Sequence, residues 1–429
     1  MTIHYQDDQV TLLLGKCEDL LTTLPDASVD AIVCDPPYEL GFMGKAWDAS
    51  GIAYNVDMWR QCWRVLKPGG HLLAFGATRT YHRMTVAIED AGFEIRDSLH
   101  WIYGSGFPKG QDIAKGIDKR KRRDYVLAAV DLGLEIPGNN LHDWTKAEHS
   151  PGDAWWEKFK AHLAPDDWQR IERRVIGVRE TGIGTGRGDV AYISDSGNRA
   201  ITASATPEAK CWQGWSTTLK PAHEPIVMAR KSTGLNTTVA NVLEHGTGAL
   251  NIDACRTAAG QDYRDKHASV VGIASPRNMD AYGDLGRGSR EDSAHDAGRW
   301  PTNILLGHSP DCAEQCSPGC PVIELGSEAR FFPAFRYEAK APASERPRLA
   351  DGTAHTTVKP LALMRWLIRL VTPPGGTVLD HFAGSGTTLE AAVIEGFPVI
   401  GIEESEPHAQ LCVTRLAKPI APLLFGEVS

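Results

Sequence analysis

Short apolar runs alternate with stretches of helical periodicity in the N-terminal third of the chain. Val10–Leu14 and Ala31–Cys34 are apolar runs of strand length, and Leu72–Phe75 follows a turn sequence at Lys67–Gly70. Between them, Val56–Leu66 places its apolar residues at helical spacing. A further helix is predicted at Thr80–Asp90 and a further strand at Ile95–Tyr103. Such alternation is typical of a parallel α/β sheet with helices on both faces.

This rhythm is lost in the middle of the chain and returns near the C-terminus. From about residue 104 to residue 299, only Pro225–Ala229 has the pattern of a strand, so we interpret this part as inserted loops and small subdomains. Beyond it, the pattern predicts helices at Pro360–Leu370 and Thr388–Glu395 and strands at Thr377–Asp380 and Pro398–Ile402. Because each end is too small to form a complete sheet, we predict one sheet built from both ends.

Composition narrows the class of protein. The chain has 429 residues, 42% hydrophobic and 23% charged, so it is expected to be globular with roughly two to three domains. The N-terminus lacks a signal-peptide pattern and no apolar stretch approaches the ~20 residues of a membrane span, so we expect a cytoplasmic protein. Its nine cysteines are expected to stay reduced. A net charge of −9 argues against an all-over basic surface but leaves room for a local basic cleft.

A glycine-rich loop follows the strand predicted at Thr377–Asp380. Its sequence is Phe382-Ala383-Gly384-Ser385-Gly386-Thr387, and the glycines let a ligand approach the backbone without a Cβ clash. Glu403 ends the next strand, where a carboxylate can accept hydrogen bonds from both hydroxyls of a ribose. The loop lacks the lysine of a Walker loop, and Leu389 stands where the dinucleotide fingerprint has its third glycine. S-adenosylmethionine, which has no phosphate, fits better; an ordinary strand–turn–helix corner is the structural alternative.

The apolar run at Ala31–Cys34 ends in Asp35-Pro36-Pro37-Tyr38. Two consecutive prolines cannot continue a sheet ladder, so this segment is expected at a strand tip. The Asp35 carboxylate and the Pro36 carbonyl could accept both N–H protons of an exocyclic amine on adenine or cytosine, which would free the nitrogen lone pair. Tyr38 offers a flat face for stacking on a base taken out of the duplex. A simple Asp-Pro-Pro turn is the structural alternative.

Together these motifs resemble the beta class of amino-group DNA methyltransferases of bacteria and phages, which modify adenine N6 or cytosine N4. The resemblance rests on the order of the two motifs and on linking stretches such as VLKPGGHLLAFG, HWIYGSGFPKG and LKPAHEPIVMARK. It implies a Rossmann-like S-adenosylmethionine-dependent methyltransferase fold, with a seven-stranded mixed sheet in circularly permuted motif order and an inserted target-recognition region. The implied parts are a catalytic half at 1–104, an insertion at 105–221 as a DNA-contacting subdomain, a returning strand at 222–230, a target-recognition region at 231–354 and a cofactor-binding half at 355–429.

The resemblance also implies roles for individual residues. Asp35, Pro36, Pro37 and Tyr38 would hold the target amine and base, and Trp101 would line the base pocket or belong to the core. Lys359 would meet the cofactor carboxylate, with a solvent-exposed lysine as the alternative. The full set of implied cofactor residues is Lys359, Pro360, Asp380, Phe382, Ala383, Gly384, Ser385, Gly386, Thr387 and Glu403.

Two positions depart from the family pattern. Gly15-Lys16 stands where Gly-Asp is usual near the cofactor adenine, so either Glu18 or Asp19 substitutes or the contact is lost. His381 replaces a usual proline, and we expect this to alter loop packing rather than chemistry.

The predicted activity is site-specific methylation of adenine N6 in double-stranded DNA, because Asp rather than Ser before Pro-Pro-Tyr is associated with adenine. Cytosine N4 methylation is the alternative. Methylation of a protein glutamine or of RNA, and a catalytically silent DNA-binding module, are competing hypotheses that the motif order and the intact motifs disfavour. A homodimer and a cognate restriction endonuclease are left open as partners.

The middle of the chain contains a cluster of metal-ligand residues and two basic runs. His308, Cys312, Cys316 and Cys320 recur every four residues and could hold a structural zinc, with reduced structural cysteines as the alternative. The basic runs, candidates for DNA phosphate contacts or for solvated helix faces, are Lys119-Arg120-Lys121-Arg122-Arg123 and Arg170–Arg174. The glycine-rich stretch Thr181–Gly188 precedes no clear helix and is interpreted as a flexible loop.

Overall fold

The computed structural model divides into two compact units, formed by residues 1–106 with 222–429 and by residues 107–221. The bounds of the second unit lie within two residues of those predicted for the insertion at 105–221. The structure describes residues 2–41, 46–104, 106, 110–131, 133–136, 153–162, 175–180, 198–258, 298–309, 312, 315–335, 346–355 and 357–417.

Strands and helices alternate at both ends of the chain, as the hydrophobic pattern predicts. The strands are β1 (Ile3–Gln6), β2 (Val10–Leu14), β3 (Val29–Cys34), β4 (Leu66–Phe75), β5 (Phe93–Ile102), β6 (Val175–Glu180), β7 (Asn198–Thr202), β8 (His223–Lys231), β9 (Ile304–Gly307), β10 (Ala334–Phe335), β11 (Val378–Asp380) and β12 (Val399–Glu403). The α-helices are α1 (Cys17–Leu21), α2 (Val56–Val65), α3 (Tyr81–Asp90), α4 (Ile113–Asp131), α5 (Asp153–His162), α6 (Pro207–Cys211), α7 (Thr238–His245), α8 (Pro321–Glu324), α9 (Leu361–Val371), α10 (Thr387–Ile394) and α11 (Glu406–Leu416). Short 3₁₀ helices lie at Ala46–Ala49, Ile52–Tyr54, Asp253–Cys255 and Gly326–Phe331.

The first unit is built on a ten-stranded mixed sheet with the order β1-β2-β12-β11-β3-β4-β8-β5-β9-β10. Strands from β2 to β4 in this order pair in parallel, β8 is antiparallel to both of its neighbours, and β1 is antiparallel to β2. The seven central strands, β2 to β5 in sheet order, form the predicted Rossmann-like mixed sheet, so the fold class is confirmed. The predicted count of seven is too low, because β1 extends one edge and the parallel strands β9 and β10 extend the other.

Both ends of the chain contribute to this sheet, and Asp30 joins them. Strand β11 from the C-terminal end pairs with β3 from the N-terminal end. The buried Asp30 carboxylate accepts a hydrogen bond from the Thr377 N–H at 2.8 Å and pairs with Lys67 Nζ at 2.7 Å. The prediction of a single sheet built from both ends is therefore confirmed.

The two faces of the sheet bury separate hydrophobic clusters. Along β3, Ala31 and Val33 belong to one cluster and Ile32 and Cys34 to the other, because alternate residues of a strand point to opposite faces. Helix α9 covers the first face with its buried apolar side, and α2 covers the second, where Trp59 is fully buried. The side chain of Asn55 caps α2 by accepting hydrogen bonds from its first N–H groups.

The turn predicted at Lys67–Gly70 is wrong, because these residues belong to β4, which begins directly after α2. The pairing with β3 shifts here from Val29 opposite Leu66 to Ala31 opposite His71, so the segment forms an irregularity within the strand. Gly69 takes a positive φ of 81°, a conformation that favours glycine. Local turn residues therefore mark a bulge rather than the start of a strand.

In the second unit, a buried aspartate joins helix α4 to the start of helix α6. Asp118 on α4 accepts hydrogen bonds from the Ala205 N–H at 3.0 Å and from the Thr206 N–H at 3.1 Å and hydroxyl at 2.8 Å. Thr206 in turn caps α6, so Asp118 fixes the start of that helix. Strands β6 and β7 form a separate antiparallel pair. Among the helices of the described ranges in both units, none combines the length and the apolar character that a membrane crossing requires.

Candidate active site

The candidate site lies at the edge of the sheet where the parallel strands end. β3 runs into Asp35, β11 ends at Asp380 and β12 ends at Glu403. β8 runs in the opposite direction, so its beginning, with Glu224, reaches the same edge. In open α/β sheets, ligands bind outside the carboxyl ends of the strands.

The Asp35-Pro36-Pro37-Tyr38 segment follows β3 directly and is fixed by two later side chains. The Tyr38 N–H donates to Asp48 Oδ1 at 2.9 Å, and the Thr80 hydroxyl donates to the Tyr38 carbonyl at 2.7 Å. The Pro36 side chain is buried. The segment is thus held at the strand tip by hydrogen bonds as well as by its two prolines.

Lys359 is the buried cation of this site. Its ammonium donates to Asp35 Oδ2 at 2.5 Å and to the Tyr38 hydroxyl at 3.0 Å, and the side chain is only 9% exposed. Burial lowers the pKa of Lys359, but the carboxylates of Asp35 and Glu224 outweigh it and the net shift is upward. The alternative of a solvent-exposed lysine is therefore wrong, while a contact with the cofactor carboxylate stays a prediction.

The two carboxylate oxygens of Asp35 differ in their hydrogen bonding. Oδ2 accepts from Lys359, whereas the buried Oδ1 has no hydrogen-bond partner among the described residues. A buried acceptor without a donor is costly to maintain and is often found where a ligand supplies the donor.

Glu224 belongs to the site although the sequence analysis, which quoted its stretch LKPAHEPIVMARK, predicted no role for it. Its Oε2 accepts from the Tyr38 hydroxyl at 2.7 Å and lies 3.5 Å from Lys359 Nζ. The Tyr103 hydroxyl lies 3.5 Å from its Oε1. Burial, and then the charges of Asp35 and Glu224, raise the pKa of Tyr38 well above its usual value, so this phenol stays protonated and donates.

Trp101 lies opposite Glu224 in the pairing of β5 with β8. Its ring is buried in the core, with the Tyr103 ring 5.0 Å away, and its Nε1 has no hydrogen-bond partner among the described residues. The core interpretation of Trp101 is thus what the structure shows, and a contact with a target base stays a prediction.

The glycine loop is joined directly to Glu403. The Gly384 N–H donates to Glu403 Oε2 at 2.7 Å, and the Ser405 N–H donates to Oε1 at 3.0 Å. Gly386 has a φ of 80°, and an added Cβ would lie 3.1 Å from Cys412 Cα. Beneath the loop, the buried Arg415 donates to the Ser385 carbonyl at 2.8 Å. The loop conformation therefore depends on glycine and on contacts with the next strand and helix.

Asp380 is a buried carboxyl group at the end of β11. Burial raises its pKa to about 7, against the opposing hydrogen bonds from the Thr388 side chain and the Phe382 N–H. The nearby charges of Asp35 and Glu403 raise it further. Asp380 is therefore partly protonated near neutral pH, which distinguishes it from an ordinary surface aspartate.

His381, which stands in place of the usual proline, packs in the core. It is 1% exposed, its ring meets Trp59 edge-on at 5.4 Å, and its Nε2 lies 3.6 Å from Cys62 Sγ. Burial lowers the pKa of His381 to about 3, so the ring is neutral. These contacts agree with an effect on packing.

A pair of histidines lies beside Glu403. The rings of His355 and His408 meet edge-on at 4.6 Å, and His408 Nδ1 is 3.5 Å from Glu403 Oε1. Burial, with the neighbouring His408, lowers the pKa of His355 to about 4. His355 begins the predicted cofactor-binding half at 355–429, and no role was predicted for His408, which lies on the helix after β12.

Gly15 and Glu18 belong to the segment that departs from the family pattern. The Gly15 N–H donates to the Glu403 carbonyl at 2.9 Å, and the Glu18 carboxylate accepts a hydrogen bond from the Asn55 side-chain amide at 3.3 Å.

The metal-ligand cluster, the basic runs and the glycine-rich stretch were also predicted from the sequence. His308, Cys312, Cys316 and Cys320 place their ligand atoms within 4.8 Å of one another. On α4, Lys121 pairs with Glu208 at 3.4 Å and Arg120 is exposed, while the side chains of Arg122 and Arg123 lie outside the described residues. Arg170–Arg174 and Thr181–Gly188 also lie outside them.

Comparison with known proteins identifies the family. A family model described as DNA methylase matches residues 29–131 and 192–414, which include the Asp-Pro-Pro-Tyr segment, the glycine loop and Glu403. The match covers most of the chain, and the chain belongs to the DNA methylase family.

Curated relatives share shorter stretches. The chain is 26% identical over 110 residues to the type II methyltransferase M.HinfI of Haemophilus influenzae, a match over 21% of this chain and 31% of that protein. It is 45% identical over 65 residues to the type II methyltransferase M.BglI of Bacillus subtilis, over 15% of this chain and 19% of that protein. The chain thus matches less than a third of the length of either relative.

Solved methyltransferase structures overlap loosely with the whole chain. The cytosine-N4-specific PvuII DNA methyltransferase superposes with a TM-score of 0.42 at 12% identity, covering 98% of this chain and 91% of that one. A complex of M1.HpyAVI with SAM gives a TM-score of 0.37 at 13% identity, covering 95% of this chain and 100% of that one. The strand order itself, rather than these superpositions, defines the fold.

Proposed function

We propose that this chain is a site-specific DNA methyltransferase that transfers a methyl group from S-adenosylmethionine to the exocyclic N6 amine of adenine in double-stranded DNA. The observation that carries the proposal is the meeting of two half-sites on one sheet edge. Asp35 follows β3, and the pair of Gly384 and Glu403 follows the adjacent strands β11 and β12.

The cofactor half fits a nucleoside without phosphate. The Glu403 carboxylate has lone pairs beyond those used by the Gly384 and Ser405 N–H groups, and these can accept ribose hydroxyls. The left-handed conformations of Gly384 and Gly386 form the tight turn that brings the loop backbone beside Glu403. A partly protonated Asp380 avoids placing a second full negative charge beside Glu403.

The amine half fits a group with two N–H donors. S-adenosylmethionine supplies an activated sulfonium methyl group when bound, so the protein needs to orient the amine more than it needs a strong base. We assign one N–H to Asp35 Oδ1, the buried oxygen without a described partner, and the other to the Pro36 carbonyl. Asp35 would accept the proton that the amine nitrogen has to release once it has received the methyl group.

Lys359 and Glu224 act through their neighbours in this proposal. Lys359 holds Asp35 Oδ2 and balances the charges of both carboxylates, which leaves Oδ1 for the amine. Glu224 accepts from the Tyr38 hydroxyl and thereby orients the ring for stacking on an extruded base.

The choice of base rests on the motif alone. Adenine N6 and cytosine N4 amines present the same two N–H donors, so the acceptors of this site suit both. The Asp of Asp-Pro-Pro-Tyr favours adenine by association, and cytosine N4 is the second candidate.

The DNA contacts are assigned to the parts of the chain between the two motifs. We propose that residues 231–354 recognise the target and that the unit of residues 107–221 contacts the DNA, with Lys119 to Arg123 as phosphate-binding candidates. A homodimer and a cognate restriction endonuclease stay predictions.

The proposal is tested with purified protein, radiolabelled S-adenosylmethionine and unmethylated genomic DNA, followed by mass spectrometry of the nucleosides. We expect label in N6-methyladenine. DNA that the protein has already methylated to completion serves as the control and should take up no further label. Label in N4-methylcytosine would overturn the adenine assignment, and no label in any nucleoside would overturn the enzyme assignment.

A further inference from the structure

Four soft ligand atoms converge in the segment between β9 and α8. The atoms offered by His308, Cys312, Cys316 and Cys320 lie within 4.8 Å of one another. His308 Nδ1 is 3.3 Å from Cys316 Sγ and 3.8 Å from Cys320 Sγ. A tetrahedral zinc with Zn–S bonds of about 2.3 Å holds its ligand atoms about 3.8 Å apart, so the cluster needs to contract little to enclose one ion.

The donor set selects the kind of metal. Three thiols and one imidazole are soft to borderline ligands, which favour zinc over magnesium or calcium. The closed set of four protein ligands is typical of structural rather than catalytic zinc sites. The Ser317 N–H, 3.3 Å from Cys312 Sγ, supplies the kind of outer hydrogen bond that stabilises a metal-bound thiolate.

The surrounding segment has little apolar core to hold its shape. Ile323 is 49% exposed, Leu325 40% and Phe331 36%, whereas Cys320 is fully buried. The segment nevertheless fixes the last strand of the sheet, because the His308 N–H donates to the Phe335 carbonyl at 2.9 Å. Small segments that cannot bury enough apolar surface commonly depend on a metal or a disulfide.

The cluster also packs against the end of β5, next to the candidate active site. A Cβ added at Gly104 would lie 2.9 Å from the Gly319 carbonyl and 2.9 Å from the Ser309 hydroxyl. Gly104 follows Tyr103, whose hydroxyl lies 3.5 Å from Glu224. Ser309 and Gly319, which flank the cysteines, therefore pack closely against the backbone next to Tyr103.

We propose that His308, Cys312, Cys316 and Cys320 bind one structural zinc ion, which holds Ser309 and Gly319 against the end of β5. The spacing of three residues between successive ligands differs from the Cys pairs of common zinc fingers, so the convergence of the ligand atoms carries this proposal more than the sequence pattern does.

Metal analysis of the untagged full-length protein, purified without chelators and under reducing conditions, tests the proposal. We expect one zinc per chain by mass spectrometry of the metals. Exchange with cobalt should give the thiolate-to-cobalt charge-transfer band and the strong d–d bands of a tetrahedral site. Cys316→Ser should weaken zinc binding at least about tenfold, since it removes a ligand.

Cys211→Ser is the matched control, because Cys211 is exposed and lies outside the cluster. It should keep the full zinc content and the cobalt spectrum. A wild-type protein with neither zinc nor cobalt bands after reconstitution would overturn the proposal, as would iron in place of zinc or equal loss of metal in both variants. Should Cys316→Ser fail to fold, the wild-type cobalt spectrum decides alone, and none of these measurements depends on methyl transfer.

Discussion

Replacing Lys359 with methionine tests whether the charge of Lys359 stabilises the neighbouring carboxylates of Asp35 and Glu224. The ammonium lies 2.5 Å from Asp35 Oδ2 and 3.5 Å from Glu224 Oε2, with a side chain that is 9% exposed. Methionine keeps much of the apolar stem but leaves two nearby carboxylates without a counter-charge. Removing one partner of a buried ion pair costs about 3–5 kcal/mol. Because both carboxylates keep roughly a fifth of their surface in water, we expect the lower end of that range for Lys359→Met.

Urea unfolding without cofactor, followed by tryptophan fluorescence, measures this loss from the midpoint and the slope. Arg60→Met is the matched control, since Arg60 pairs with Asp57 at 2.6 Å but the two side chains are 57% and 85% exposed. That exposed pair should contribute less than about 1 kcal/mol. Adding Glu224→Gln to Lys359→Met should restore part of the stability, because one of the two unpaired charges is removed. A loss for Lys359→Met no greater than for Arg60→Met would refute the reasoning.

Two further predictions concern the cofactor half of the site. Glu403→Gln should raise the calorimetric Kd for S-adenosylmethionine by about 10–100-fold, since a charge-assisted hydrogen bond contributes about 1.5–3 kcal/mol. The control Glu404→Gln, at an exposed neighbouring residue, should leave this Kd unchanged. Equal effects of the two substitutions would contradict the assignment of Glu403 to the cofactor. Asp380 has a pKa of about 7 against 3.8 for a free aspartate, so the folded state binds the extra proton between these values and wild-type stability falls as the pH rises through that window. The asparagine of Asp380→Asn does not titrate. The free energy of unfolding of this variant, measured from urea midpoints relative to the wild type, should therefore rise by on the order of 4 kcal/mol between pH 4 and pH 8. A difference between the two proteins that does not change with pH would show that the pKa of the Asp380 carboxyl is not perturbed.

The strand ends that carry Asp35, Asp380 and Glu403 could be predicted from the sequence because their signals are local. An apolar run stopped by prolines or followed by glycines fixes where a strand ends. Parallel pairing then brings these ends to one edge, which the structure confirms. Both halves of the candidate site were therefore accessible to sequence reasoning.

Glu224 could not be found in this way, because its place depends on the direction of β8. An apolar run has the same pattern in either direction, and only the antiparallel pairing with β4 and β5 brings the start of β8 to the site. The ion pair between Lys359 and Asp35 joins residues 324 positions apart and has no local signal either. The edge strands β9 and β10 were not predicted because they are only four and two residues long, too short for a clear strand pattern.

The segment Lys67–Gly70 has the residues of a turn, but the structure places it within β4. The glycines do mark a break in regular pairing, but the strand continues through it because Leu66 already pairs with Val29. Whether such a break is a turn or a bulge is decided by the neighbouring strand.

The most direct test of the account compares Asp35→Ala with the wild type for methyl transfer to DNA, together with a calorimetric titration of S-adenosylmethionine. Asp35 belongs to the amine half, whereas the glycine loop and Glu403 form the cofactor half on the neighbouring strands, so we expect Asp35→Ala to abolish transfer and to leave cofactor binding unchanged. Full transfer by Asp35→Ala, or loss of cofactor binding in that variant, would contradict the assignment of Asp35 to the target amine.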